Sequence, residues 1–401
     1  MDLNVALQKA LEDFADRHPA SKEASLRAAQ ALPGGNTRHA LFCNPFPVTL
    51  VRGEGCHVWD ADGHQYVDAL GEFTASITGH THPAVKAAAI AALERGINLG
   101  GHIAQEAELS QAIKARFPSM QLMRFCNSGT EANMMNILTA RAYTSREKVM
   151  VFEGSYHGGV FSFPCGKTMR TNVPFQFLTA PYNDAQAAER LIKEHGSDLA
   201  CVIFEPMLGT GGCIPASKEF VHTIRAATEQ VGALMIMDEV MTSRLSPGGL
   251  QQSLGVTPDL TSLGKYVGGG FSFGAFGGRA DVMQAYDPRN PAGLMHSGTF
   301  NNNTLSMAAG AVTMTQWTGV GSMLTAQFYA GSISSARDLV DTNPRLKELL
   351  YLHLLKCGVW TTTRCMFSPC LVMGDKQYST IIQAVESFLL AYPGLAQANE
   401  P

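Results

Sequence analysis

The chain has 401 residues, room for two or three domains or for one large α/β domain with an appendage. Its 30 Lys and Arg against 34 Asp and Glu give a formal charge of −4, which excludes the basic footprint of a nucleic-acid binder. Only 16% of residues are charged while 45% are hydrophobic, so extensive burial is expected, part of it between subunits.

The N-terminal stretch MDLNVALQKALEDFADRH reads as an amphipathic helix without the apolar core or cleavage site of a signal peptide. No apolar run nears the ~18 residues of a membrane span; Leu199 to Phe204 is strand-sized. Nine cysteines, odd in number and without a C-x-x-C pair, point to reduced thiols and a cytoplasmic setting. Leu32-Pro33-Gly34-Gly35-Asn36 breaks the helical pattern, and Val48 to Asp68 reads as short antiparallel strands around the turn Asp60-Ala61-Asp62-Gly63. From His82 onward, Ala-rich helices (Pro83 to Arg95, Glu106 to Arg116) alternate with compact apolar runs at Gln121 to Cys126, Lys148 to Phe152, Ala200 to Phe204, Ala233 to Met237 and Leu260 to Leu263. That alternation implies an α/β fold with a mostly parallel sheet covered on both faces. The expected division is an N-terminal helix and small antiparallel segment (1–70), a large domain (71–316) and a smaller α+β C-terminal domain (317–401).

Several of the runs end in polar or ionisable residues, and in open α/β sheets ligands bind beyond the carboxyl ends of the strands. Ser128-Gly129-Thr130-Glu131 follows one run and opens a helix with the S-x-x-E capping pattern. The free N–H groups there suit a phosphate, although a plain helix cap explains the same residues. Asp238 ends the run Ala-Leu-Met-Ile-Met, where a buried carboxylate needs a partner. A structural ion pair would serve, and so would the protonated nitrogen of a pyridine ring. Lys265 lies between Gly264 and the glycines of Tyr266-Val267-Gly268-Gly269-Gly270. It is either an exposed loop lysine or an amine desolvated enough to form a Schiff base. Together the three features are the anchors of pyridoxal 5′-phosphate: phosphate at Ser128-Gly129-Thr130, ring nitrogen at Asp238, aldehyde at Lys265. No H-E-x-x-H or similar ligand spacing occurs, so no metal site is expected.

The segments Asn127-Ser128-Gly129-Thr130-Glu131-Ala132-Asn133, Tyr156-His157-Gly158-Gly159, Phe204-Glu205-Pro206-Met207, Asp238-Glu239-Val240-Met241-Thr242, Gly264-Lys265-Tyr266 and His296-Ser297-Gly298-Thr299-Phe300 resemble the class III, fold-type I aminotransferases, which include glutamate-1-semialdehyde aminomutase. Leu32 to Arg38, Ser243-Arg244-Leu245, Gly268 to Arg279 and Thr299 to Asn303 make the likeness closer to β-amino-acid (β-phenylalanine) aminotransferases.

The resemblance implies that Tyr156 and Val240 pack against the two faces of the pyridine ring, that Glu205 is an acid close to Asp238, and that Thr299 reaches the phosphate from the neighbouring subunit of a homodimer. It also implies that Arg38 holds the carboxylate of a β-amino acid and that Arg364 receives the α-carboxylate of the keto acid, despite the unusual surroundings Thr361-Thr362-Thr363-Arg364-Cys365. The implied reaction passes the amino group of a β-amino acid to an α-keto acid such as 2-oxoglutarate or pyruvate. A semialdehyde aminomutase, or an inactive paralogue with a binding role, are the alternatives. Against the family pattern a helix's worth of residues is missing where Gln316 runs into Trp317, which shortens the C-terminal domain.

Overall fold

A computed structural model describes residues 2–164, 169–316, 323–329, 331–340, 342–393 and 395. The chain forms two compact units. The larger comprises Pro83–Val320 and Ser332–Val340; the smaller combines Met1–His82 with Gly321–Gly331 and Asp341–Pro401. The expected segment 1–70 therefore does not stand apart from the C-terminal residues, and 332–340 go with the larger unit.

The larger unit is built on seven strands in the spatial order Leu122–Cys126, Gly274–Gly278, Leu260–Gly264, Leu234–Asp238, Leu199–Phe204, Lys148–Phe152, Gln176–Ala180. Only Gly274–Gly278 runs against the others. Alternate residues feed two separate cores, as a strand period of two requires. Met150, Phe152, Val202, Phe204, Met235 and Met237 pack on one side with helices Ala185–Glu194 and Lys218–Val231. Val149, Val151, Cys201, Ile203, Leu234 and Ile236 pack on the other with helix Gly129–Thr144. With apolar residues on both faces, the strands read as continuous hydrophobic runs, which is why their positions could be read from sequence.

Two strands escaped that reading. Gln176–Ala180 is at the sheet edge with only partial burial. Gly274–Gly278 is completely buried but has the sequence Gly-Ala-Phe-Gly-Gly, which resembles a loop. Its glycines are needed because a Cβ would collide with Ser128 O at Gly274, with Leu122 O at Gly277 and with Asp259 O at Gly278.

In the smaller unit, Leu50–Glu54, His57–Asp60 and Gln65–Asp68 form an antiparallel meander, and Val359–Trp360 adds to it in parallel. Helices Leu3–Arg17, Pro344–Lys356 and Asp375–Ala391 supply Leu7, Phe14, Leu349, Leu354 and Phe388 to its core. Among the described residues no helix is long and apolar enough to cross a membrane.

Candidate active site

In the larger unit the strand ends carry the polar residues anticipated from sequence. Ser128 caps helix Gly129–Thr144, its hydroxyl accepting from Glu131 N at 3.1 Å. The reciprocal half of the capping box is displaced by one residue: Glu131 Oε2 accepts from Asn127 N at 2.8 Å, not from Ser128 N. Among the described residues neither Gly129 N nor Thr130 N has an acceptor, leaving two amides for an anion at the positive end of the helix. A Cβ on Gly129 would stand 2.8 Å from Val240 Cγ1, and one on Gly264 would stand 3.4 Å from the same methyl. Val240 thus lies directly against the start of this helix and the end of the Lys265 strand. Gly158 has φ +127° and would drive a Cβ into Thr130, so the turn after Tyr156 closes on the same helix start.

Asp238 is buried at the tip of its strand, and both of its carboxylate oxygens are held. Oδ1 accepts from Val240 N at 3.0 Å. Oδ2 accepts from Asn133 Nδ2 at 2.7 Å and faces His157 Nδ1 at 2.8 Å. Asn133 Nδ2 also donates to His157 O at 3.0 Å, which locks the three side chains together. Burying a lone carboxylate would cost several kcal/mol, and these donors offset that cost while leaving lone pairs available. Sequence reasoning assigned no role to Asn133 or His157. For Asn133 the available signal was a polar residue five positions after the cap Ser128, on the buried face of the helix beside Ala132 and Ile137.

Glu205 is also buried; its oxygens accept from Tyr156 N at 2.9 Å and Gly209 N at 3.0 Å. Burial, with the charge of Asp238 adding and His157 opposing, pushes its carboxyl up to about 7. It fixes the backbone from which Tyr156 projects, and the Tyr156 side chain itself is 41% exposed. Lys265 has a left-handed backbone, φ 56°, at the start of the 3₁₀ turn Lys265–Gly268. Such a conformation costs about 1–2 kcal/mol for a residue with a Cβ. Burial lowers its amine to about 8, with Arg244 pushing the same way and the charges of Asp238 and Glu205 opposing. An amine in that range is about half deprotonated near pH 8, where an ordinary lysine stays almost wholly protonated.

Thr299 is exposed, in an irregular segment whose neighbours Met295 and Phe300 are 94% and 57% exposed. The smaller unit carries the two arginines. Arg38 lines a cavity of about 490 Å³ together with Phe42, Phe73, Tyr351 and Trp360. Its guanidinium is 5.4 Å from the centre of the Phe73 ring, and among the described residues it has no ion pair. Arg364 is exposed in the turn after Thr361-Thr362-Thr363, which lines that cavity.

The constellation in the larger unit suits a flat, phosphate-bearing pyridine: anion-ready amides, a held carboxylate, an apolar wall at Val240 and a lowered amine. Residues 42–323 match the family model for class III aminotransferases, and the chain belongs to that family of pyridoxal 5′-phosphate enzymes. It is 44% identical over 420 residues to the beta-phenylalanine transaminase of Variovorax paradoxus, covering 96% of each protein. The solved structure of a β-phenylalanine aminotransferase from that organism superposes with a TM-score of 0.97 at 42% identity, covering 100% of both chains. A transaminase solved with pyridoxal phosphate bound superposes with a TM-score of 0.82 at 28% identity, over 92% of this chain and 99% of that one. The 420-residue alignment is longer than this chain, so the relative has residues without a counterpart here. The gap read at Gln316–Trp317 adjoins 317–322, which lie outside the described residues.

Proposed function

We propose that this chain is an aminotransferase that takes the amino group from a β-amino acid of the β-phenylalanine type and delivers it to an α-keto acid such as 2-oxoglutarate or pyruvate. The observation carrying the chemistry is the pairing of a lysine lowered to about 8 with the triply held carboxylate of Asp238, whose charge that lysine feels. The substrate class follows the name of the Variovorax relative.

When bound, pyridoxal 5′-phosphate supplies an electron sink for the electron pair left behind as a substrate C–H proton departs. The amides of Gly129 and Thr130 with the hydroxyls of Ser128 and Thr130 would hold its phosphate, Asp238 its ring nitrogen, Tyr156 and Val240 its two faces, and Lys265 its aldehyde carbon. Asn133 and His157 hold and aim the Asp238 carboxylate, and Glu205 sets the Tyr156 backbone. Lys265 Nζ takes the proton from the amino-bearing carbon and returns it on the other side of the exchange. Arg38 holds the donor's carboxylate, a role supported by its freedom from ion pairs among the described residues and by the apolar cavity around it. Arg364 meets the α-carboxylate of the keto acid.

Thr299 contributes to the phosphate site of a second subunit in a homodimer. Supporting this, Met295, Phe300, Ile97 and Leu99 are all more than half exposed, and Thr304 Oγ1 ties their two segments together through Gly96 O and Ile97 O at 2.9 Å. A cytoplasmic setting is supported by eight described cysteines that are all free thiols.

The test is a pair of half-reactions on the cofactor-loaded protein. β-Phenylalanine should bleach the visible absorbance, and pyruvate or 2-oxoglutarate should restore it. Failure of both acceptors, with a semialdehyde still turning over, would replace this reading by an aminomutase.

A further inference from the structure

Away from the strand-end site, the strained turn that carries Lys265 is fastened a second time. Gly264 is extended at φ −175°, and Lys265 then turns left-handed at φ 56°. Strain of this kind persists only where the surroundings hold the chain on both sides of it. Before Lys265 that anchor is the buried strand Leu260–Gly264. After it the anchor is Tyr266, 2% exposed, whose hydroxyl donates to Ser243 O at 2.9 Å and whose carbonyl accepts from Gly269 N at 2.8 Å.

The Tyr266 hydroxyl is itself gripped. Arg116 ends helix Ala104–Arg116, and its guanidinium reaches two segments at once. Nη2 lies 3.2 Å from Tyr266 Oη and 3.3 Å from Ser243 O, and Nε donates to Pro247 O at 2.7 Å. Nη1 faces Met314 Sδ at 3.4 Å, on helix Thr304–Gln316. The protons balance, because the phenol gives its one proton to Ser243 O and accepts one from Nη2, whose second goes to the same carbonyl. Ser243 and Pro247 belong to the segment leading away from Asp238, and Ser243 N is bonded back to Glu239 O at 3.0 Å. One guanidinium thus joins the chain beyond the carboxylate to the chain beyond the amine. A planar fork with fixed donors can hold two segments in register, which a lysine's single rotating head cannot.

Placement matters more for Lys265 than for its neighbours. Its amine has to meet both an aldehyde carbon and a substrate proton, and a displacement of about 1 Å at a reacting group can cost about 10²-fold in rate.

We propose that Arg116 and Tyr266 are positioning residues for Lys265, holding its turn in the left-handed form and so setting the amine against the site that Asp238 and the Ser128 helix start define. Both act through the backbone. The inference rests on the reading that Lys265 takes the aldehyde of pyridoxal 5′-phosphate. No sequence motif announces this clamp, since Arg116 meets Ser243 and Tyr266 from 127 and 150 residues away.

The experiment follows capture of pyridoxal 5′-phosphate by the cofactor-free protein, read as growth of the visible absorbance and as cofactor that borohydride fixes to the chain. Beside it, kcat and KM for β-phenylalanine are measured on the loaded enzyme. Tyr266→Phe keeps the ring and removes the hydroxyl, Arg116→Ala removes the fork, and Arg116→Lys keeps the charge without the fork. Each should slow capture and lower kcat by about 10–100-fold with KM nearly unchanged, and methylguanidinium added to Arg116→Ala should restore part of both rates. Melting temperatures separate placement from stability: variants that melt lower yet capture cofactor and turn over at the parent's rates would overturn the clamp. Lys265→Ala tells that outcome from failure of the underlying reading. If borohydride fixes as much cofactor to Lys265→Ala as to the parent, Lys265 does not carry the cofactor; if it fixes none there while Tyr266→Phe and Arg116→Lys keep the parent's rates, the clamp alone is wrong.

Discussion

The polar groups at the strand ends of the larger unit and those around the cavity of the smaller unit are held in opposite ways. Asp238, Asn133, His157 and Glu205 are buried and bonded to one another or to backbone amides before any ligand arrives. Arg38 is exposed, steadied by the hydrogen bond from its backbone N to Asn36 Oδ1 at 3.1 Å and by the Phe73 ring. Chemistry that must be repeated identically in both half-reactions is built on preorganised groups, whose reorganisation has been prepaid in folding. On the reading proposed above, recognition of the donor's carboxylate is left to a side chain that no ion pair holds among the described residues.

The sharpest way to break this contrast is to compare single substitutions on the two sides. Lys265→Ala should lower kcat by about 10⁴-fold or more, since anchoring and proton transfer are lost together, and borohydride should no longer fix the cofactor to the chain. Asp238→Asn keeps the shape and removes the charge; kcat should fall by about 10²–10⁴-fold with a shifted visible absorbance and a modest change in KM. Arg38→Ala should instead act on KM for the β-amino acid, by about 10–100-fold, the equivalent of one charge-assisted hydrogen-bonded contact. If Arg38→Ala depressed kcat as deeply as Asp238→Asn, the division between fixed chemistry and adaptable recognition would be wrong.

A smaller effect tests the cost of preorganisation. The Lys265 amine titrates near 8 in the folded chain against about 10.4 unfolded, so between those values the unfolded state binds the extra proton and stability rises with pH. In cofactor-free protein, Lys265→Met should be more stable than the parent at pH 7, by on the order of 2 kcal/mol, and the gap should close as pH climbs from about 8 to 10.4. Thermal melts across that range measure it, and a constant gap would mean that the lysine is not desolvated.

The strand that ends in Asp238 was legible because burial on both faces makes its residues uniformly apolar until the chain meets the crevice, and the strand before Lys265 because Leu260 and Leu263 bracket small hydroxyl residues that are equally buried. The cap at Ser128 was legible because its hydroxyl spacing to Glu131 is local. The clamp on Asp238 was not, since Asn133 and His157 meet it from positions 105 and 81 residues away in the chain. Nor was the buried strand Gly274–Gly278, in which close backbone contacts replaced the β-branched residues a strand normally shows. The join between chain ends in the smaller unit was hidden for the same reason: the pairing of Val359 with Val67 leaves no mark in either sequence window.

That last pairing has a consequence in time. Strand Gln65–Asp68 leaves the ribosome about 290 residues before its parallel neighbour Val359–Trp360, an interval of roughly 15–60 s at ordinary elongation rates. Throughout it, the larger unit can complete its sheet while the first 82 residues carry an open strand edge and a helix that lacks its partners. Synthesis thus delivers all seven strands of the larger unit's sheet before the unit that holds Arg38 can close its own.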